Sequence, residues 1–302
     1  MNYLLKKIYY NTFLIIKYFL IELFNRKTII INATSYPCYK GFIPKFRGNW
    51  GDDINYILPQ YLLDAVVIPY RYSIIGRFLK KKKNVLFIGS VITGLSNSKT
   101  IIIGAGLSPD QTNVKYANPY KVLRVRGPLS RMYLIERGIP CPTKYGDPAL
   151  ILPYIYKPII KNHYKIGFIP HFLDKERGVI DLLSKYNNCI IIDPTNYGNW
   201  TSFINNICSC DIIFSSSLHG LIISDAYNIP NIWTEFFFKV NRFKYHDYFY
   251  SVNRELKAPY IFDFNRTITE LVELKKDYKP IKLDIQDLFK QIQYELQSLK
   301  EL

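Results

Sequence analysis

The chain has 302 residues, with 40 Lys and Arg against 24 Asp and Glu, a net charge of +16. Apolar residues make up 48% of it and aromatic residues 16%, which excludes a disordered chain and supplies a large core without disulfide staples. The charge is what needs an account: a strongly basic protein meets nucleic acid, an anionic membrane surface or an anionic small molecule.

Residues 1–27 read as an amphipathic helix. Its apolar stretch, Thr12–Phe24, holds Lys17 and Glu22 and is shorter than the roughly 20 apolar residues of a membrane span. No small-residue cleavage site follows, which argues against a signal peptide. Lys6, Lys7, Lys17, Arg26 and Lys27 surround an aromatic and aliphatic face. The helix therefore either lies on an anionic membrane or docks on the protein's own core.

Strand candidates follow at Thr28–Asn32, Ala65–Pro69, Asn84–Gly89, Thr100–Gly104 and Val122–Arg126, and after Pro153 and Pro158 at Lys165–Pro170, Cys189–Asp193, Asp211–Ser215 and Asn231–Glu235. Continuous apolar runs such as Ile101–Ile103 and Ile190–Ile192 suit parallel strands buried on both faces. Helical patterns lie between them at 53–63, 128–137, 173–186, 197–207 and 218–227. The alternation predicts an α/β fold of two Rossmann-like domains, 28–155 and 156–275, followed by a helical tail at 276–302. Lys80–Lys83 reads as a solvated loop. The five scattered cysteines do not form a disulfide framework, and Cys208 and Cys210 lack the second ligand pair of a zinc site.

In open α/β sheets the ligand lies outside the carboxyl ends of the strands. Five polar clusters fall there. Gly48-Asn49-Trp50-Gly51-Asp52-Asp53 combines glycines with helix-capping residues. Gly104-Ala105-Gly106 follows a strand but lacks the third glycine of a dinucleotide fingerprint. Arg126, before Gly127 and Pro128, offers a guanidinium for a carboxylate or phosphate, or an inter-domain ion pair. Gly146-Asp147-Pro148-Ala149 reads as a capped turn. The fifth cluster carries most weight: Ser215-Ser216-Ser217-Leu218-His219-Gly220 runs from a buried strand into a helix. Helix amino termini bind anions, and a His there serves as general acid or base. His171 stands at an equivalent strand end.

In this order, with Ile166–His171, Ser224-Asp225-Ala226 and Ile229-Pro230, these pieces resemble the polysaccharide pyruvyl transferase family. The resemblance implies a GT-B-like pair of domains facing a central cleft. It also implies transfer of pyruvate from phosphoenolpyruvate to two sugar hydroxyls, with a cyclic ketal and phosphate as products. It maps the essential His onto His219 and the essential Arg onto Arg126. Ser215, Ser216, Ser217, Leu218, Gly220, Gly104, Gly106 and His171 then fall on the donor side. Asn49, Gly51, Asp52 and Asp53 fall on the acceptor side. Some relatives carry Arg where Ser217 stands, and Lys239, Arg242 or Lys244 would compensate. The donor is the only small molecule implied, with no metal and no cofactor. The partners are a glycan acceptor, lipid-linked, and an anionic membrane on the cytoplasmic side, with no nucleic acid. A glycosyltransferase using a nucleotide sugar is the alternative.

Overall fold

The computed structural model of the chain describes residues 3–25, 27–40, 43–78, 82–108, 118–239 and 241–301. Arg26, Lys80 and Lys81 lie outside them. The chain divides into two compact units, the first made of residues 1–126, 130–145 and 290–302 and the second of 127–129 and 146–289.

In the first unit, β1 (Thr28–Ile31), β4 (Val66–Pro69), β5 (Asn84–Leu86), β6 (Thr100–Ile103) and β7 (Lys121–Arg124) form a parallel sheet in the order β4-β1-β5-β6-β7. In the second, β8 (Tyr164–Ile169), β9 (Cys189–Ile191), β10 (Cys210–Ser215), β11 (Asn231–Glu235) and β12 (Tyr260–Ile261) form another, ordered β12-β11-β10-β8-β9. Counted within its own sheet, each order is 2-1-3-4-5, a doubly wound arrangement. The predicted α/β class and parallel sheets are therefore observed. Strands run with side chains covered on both faces: Ile101, Ile102 and Ile103 are buried, as are Ile212, Ile213 and Phe214. In the second unit Phe168, Phe214, Phe236 and Phe262 pack as one aromatic cluster, with Phe168 and Phe262 edge to face at 5.6 Å.

The order of each sheet reverses at one place, between β1 and β5 in the first and between β8 and β10 in the second. Connections leave in opposite directions there, which opens a crevice at the carboxyl ends. The second of these points lies where Ile169 runs into His171 and where Ser215 runs into His219.

Several elements depart from the sequence reading. The 53–63 pattern breaks into helices Trp50–Asp53 and Leu58–Leu63 around a 3-10 turn, with Pro59 in the first turn of the later helix. The 173–186 pattern breaks at Gly178, whose φ of +75° is left-handed. An antiparallel hairpin, β2 (Tyr36–Lys40) with β3 (Ile43–Arg47), stands outside both sheets.

The first helix, Tyr3–Phe24, meets the first unit along one face. Leu14 is buried, Tyr18 stacks on Tyr72 at 5.9 Å, and Glu22 accepts from Ser73 Oγ and from the amide of Ile75. Core docking is thus observed for that face. Helical spacing puts Tyr9, Phe13, Ile16, Leu20 and Leu23 on the opposite side, and each is exposed. Among the described residues no helix is long and apolar enough to cross a membrane.

Candidate active site

The loop after β10 is built by its own serines. Ser215 Oγ donates to Ser217 O at 2.8 Å and accepts from the amide of Ser217 at 3.1 Å. Ser216 Oγ accepts from the amide of His171 and donates to Asp174 Oδ2, both at 2.7 Å. The hydroxyl protons of Ser215 and Ser216 are therefore spent inside the protein. Their part is to fix the loop. The Leu218–Ala226 helix starts from this loop with Ser217 at its N-cap, so its first turn, Leu218, His219 and Gly220, stands at the carboxyl end of β10. Gly220 lets the loop close: a Cβ there would sit 2.3 Å from Ser215 Oγ. His219 occupies the first turn at the sheet's switch point, partly exposed, within a segment otherwise buried from Phe214 to Ala226.

His171 caps the short Phe172–Lys175 helix, its Nδ1 accepting from the amide of Leu173 at 3.4 Å. With Nδ1 an acceptor, the neutral ring carries its proton on Nε2. The ring stacks on Phe238 at 5.9 Å. Burial, aided by the charge of Lys244, pushes its pKa down to about 4, with Asp174 opposing. His171 is thus a neutral hydrogen-bond donor at physiological pH. Of the three cations expected to stand in for an Arg at Ser217, Arg242 is held by Glu235 at 3.4 Å and Lys239 is exposed. Lys244 is the one whose charge His171 feels.

Asp174 was not legible as a site residue. It is fully buried and accepts from Ser216 Oγ and from the amides of Phe237 and Phe238, at 3.1 and 2.7 Å. It ties the loops after β8, β10 and β11 together. Tyr245 does similar work, donating to Ser216 O at 2.6 Å while stacked on Trp233.

In the first unit Arg126, Gly106 and Asp52 meet the Gly89-Ser90 turn. Arg126 is fully buried and donates to Ser90 Oγ at 2.8 Å and to Leu107 O at 3.3 Å. Gly106 leaves room for it, since a Cβ there would lie 2.4 Å from the guanidinium carbon. Gly104 turns the chain with φ +93°. Asn49 caps the Trp50–Asp53 helix by accepting from the Gly51 amide. Asp52 approaches Gly89, and Asp53 accepts from Ser35 Oγ in the interior. Asn55, buried, clamps the end of this strand region through Ile88 N and O, at 2.8 and 3.0 Å. Arg126 and His219 belong to different units.

Three further polar groups, Arg124, Asp225 and Asp147, are structural. Arg124 is buried in an ion pair with Glu295, at 3.1 Å, and donates to Tyr145 O and Gln291. Asp225, at the far end of the His219 helix, takes Arg254 at 2.9 Å, Tyr248 at 2.8 Å and Asn231 at 2.7 Å. Asp147 caps its 3-10 turn through the amide of Ala149. Burial pushes the Cys208 and Cys210 thiols up to about 12, so both stay protonated.

Two parallel five-stranded sheets, each with polar loops at the carboxyl ends of its strands, define a doubly wound α/β protein whose ligand crevices would lie at those ends. The family follows from comparison. The model of the polysaccharide pyruvyl transferase family matches residues 49–235, more than half of the chain, and the chain belongs to that family. It is 26% identical over 212 residues to the "Succinoglycan biosynthesis protein ExoV" of Rhizobium meliloti (strain 1021), a match covering 67% of this chain and 61% of that protein. It is 27% identical over 194 residues to the "Uncharacterized protein L143" of Acanthamoeba polyphaga mimivirus, covering 62% of this chain and 64% of that one. The chain thus spans less than two thirds of either relative. No solved structure gives a significant match.

Proposed function

We propose that this chain transfers pyruvate from phosphoenolpyruvate to two hydroxyls of a sugar, giving a cyclic ketal and inorganic phosphate. The observation that carries the reading is the Ser215–Gly220 element. A rigid serine loop delivers His219 and three first-turn amides to the switch point of a parallel sheet, inside the segment that matches the family.

The reaction needs a proton on the methylene carbon, which becomes the methyl group and leaves an oxocarbenium-like carbon. A first sugar hydroxyl adds there and loses its proton. The bond from that carbon to the phosphate oxygen then breaks, phosphate leaving with the electron pair, and the second hydroxyl adds and loses its proton. Two protons are released, one is consumed at the methylene and one ends on phosphate. His219 is the acid and base in this scheme. The helix amino terminus and the Nε2–H of His171 receive the carboxylate or phosphate, and Arg126 is the anion clamp. Asn49 and Asp52 orient the acceptor, with Asp53 fixing their loop from the interior through Ser35.

The acceptor in this proposal is a lipid-linked glycan, and the chain works at the cytoplasmic face of an anionic membrane. What supports this is the exposed row Tyr9, Phe13, Ile16, Leu20 and Leu23 on the outer face of the first helix, beside exposed Lys17. The test is incubation with phosphoenolpyruvate and candidate glycans, following phosphate release and the ketal methyl signal by NMR. His219→Ala should lower turnover by about 10²–10⁴. Near-normal turnover in that variant would remove His219 from the mechanism. Thermal stabilisation by a nucleoside diphosphate but not by phosphoenolpyruvate would replace the reading with glycosyl transfer.

A further inference from the structure

His171 is held at three points, and all three lead to one carboxylate residue. Its backbone oxygen accepts from the amide of Asp174 at 2.9 Å. Its backbone amide donates to Ser216 Oγ, and that hydroxyl donates in turn to Asp174 Oδ2, both at 2.7 Å. Its ring stacks on Phe238, whose own amide donates to Asp174 Oδ1 at 2.7 Å. The amide of Phe237 reaches the same oxygen at 3.1 Å. Asp174 is fully buried, so these bonds are made away from water, where a lost partner is not replaced by solvent.

The arrangement extends the sheet past its own strands. β8 and β10 pair as far as Ser215 opposite Ile169, and the Ser216 amide still donates to Ile169 O at 3.1 Å. At His171 the acceptor is the Ser216 side chain in place of a backbone carbonyl. The direction of the bonds is fixed: each group that reaches the Asp174 carboxylate is a donor, and Ser216 Oγ gives it the one proton it has. The loop after β11 is also held from its other side. Arg177 donates to Phe237 O at 3.2 Å, and its guanidinium lies over the Phe238 ring at 5.3 Å.

We infer that Asp174 is the positioning residue of His171: through Ser216 and Phe238 it sets where the Nε2–H points, and with it the anion-binding geometry at the carboxyl end of β8. The carboxylate itself touches no substrate in this assignment. Only the identity of the anion, phosphoenolpyruvate, rests on the reaction proposed above; the hold on the ring does not. The two ways in which Asp174 acts on His171 have opposite signs. As a charge it raises the pKa of His171, against burial and Lys244, which lower it. As a positioning group it keeps the ring packed against Phe238 and away from water, which lowers it. Cutting the hold therefore moves the His171 pKa up toward 6.5, whereas loss of a mere neighbouring charge moves it down.

The test is an NMR titration of the His171 ring in the full chain, beside calorimetric titration with phosphoenolpyruvate, for the wild type, Asp174→Ala and Ser216→Ala. Asp174→Ala removes the charge and the hold together. Ser216→Ala leaves the Asp174 charge in place and cuts only the link to the His171 amide. In both variants the His171 pKa should rise from about 4 toward 6.5. Both should bind phosphoenolpyruvate at least about tenfold more weakly, as expected when one charge-assisted hydrogen bond is misaligned. If Asp174→Ala does not fold, Ser216→Ala decides alone, since it deletes a single hydroxyl. A His171 pKa that stays at about 4 or falls in any variant that folds, or phosphoenolpyruvate bound as tightly as by the wild type, would overturn the assignment. A wild-type protein that neither binds nor turns over phosphoenolpyruvate would sink the proposed reaction, and the ring titration would still decide the positioning role.

Discussion

Replacing Gly220 by Ala sets two effects of known sign against each other. Helix propensity alone favours Ala over Gly by up to about 1 kcal/mol. The loop opposes it. The new Cβ would stand 2.3 Å from Ser215 Oγ and 3.0–3.1 Å from two carbons of Ile169, so Ser215 must move by about 1 Å to restore contact distance. That movement breaks the buried bonds from Ser215 Oγ to Ser217 O and from Ser217 N, worth about 0.5–1.5 kcal/mol each, on top of an overpacking cost of about 1–3 kcal/mol. The net expectation is a loss of about 1–5 kcal/mol, read from the denaturant midpoint. The same shift displaces the His219 turn, so phosphate release should fall by about a hundredfold. Ser215→Ala removes the atom that is struck, and Gly220→Ala should therefore cost less in that background, with a coupling of about 1 kcal/mol or more. A Gly220→Ala protein as stable as the parent, or more stable, would mean that propensity wins and that the serine loop is not the rigid support described here.

Three other outcomes are expected. Arg124→Met strands the carboxylate of Glu295, which is 4% exposed and keeps only the half-exposed Lys144, so it should cost about 3 kcal/mol or more by denaturant unfolding, while pairing it with Glu295→Met should cost less. His171 is pushed from 6.5 to about 4, so the unfolded chain takes up this proton first as pH falls; the folded state should lose stability from pH 6.5 down to about 4, by at most about 3 kcal/mol. His171→Gln should flatten that part of the profile, and parallel profiles for the two proteins would contradict the assignment. The triple change Phe13→Ser, Ile16→Ser and Leu20→Ser alters only exposed side chains, so it should leave the melting temperature nearly unchanged. It should lower co-sedimentation with phosphatidylglycerol-containing vesicles by about tenfold or more, and unchanged co-sedimentation would discount the membrane face.

The sheets were legible because their strands are buried on both faces and so appear as unbroken apolar runs, Ile101–Ile103 being an example. The Ser215–His219 junction was legible because a strand ending in small polar residues before a helix marks the carboxyl end of a sheet. The hairpin Tyr36–Arg47 was hidden by Pro37 and Pro44, residues that argue against strands in any interior position. The helix Phe243–Ser251 was hidden for another reason: Tyr245, Asp247, Tyr248, Phe249 and Ser251 are all buried, so no single apolar stripe separates a wet face from a dry one. Roles that depend on distant partners left no local trace. Asp174 matters through amides more than 60 residues away. Arg124 and Arg126 look alike two positions apart, yet one closes on Glu295, 171 residues on, and the other on Ser90. The Ser215 and Ser216 hydroxyls looked free to donate because composition does not reveal which bonds a loop keeps for itself.

The buried pair between Arg124 and Glu295 also orders events in time. β7 belongs to a sheet whose strands all precede residue 125, yet its arginine finds its carboxylate on a helix made some 170 residues later. The first unit therefore cannot complete this buried pair until residues beyond 290 are present. Cutting between residues 145 and 146 would not yield two independent pieces: the amino-terminal fragment would lack the strap at 290–302, which belongs to its own unit. The Ile285–Gln297 helix is thus less a tail than a strap, its last turns belonging to the first unit and closing it.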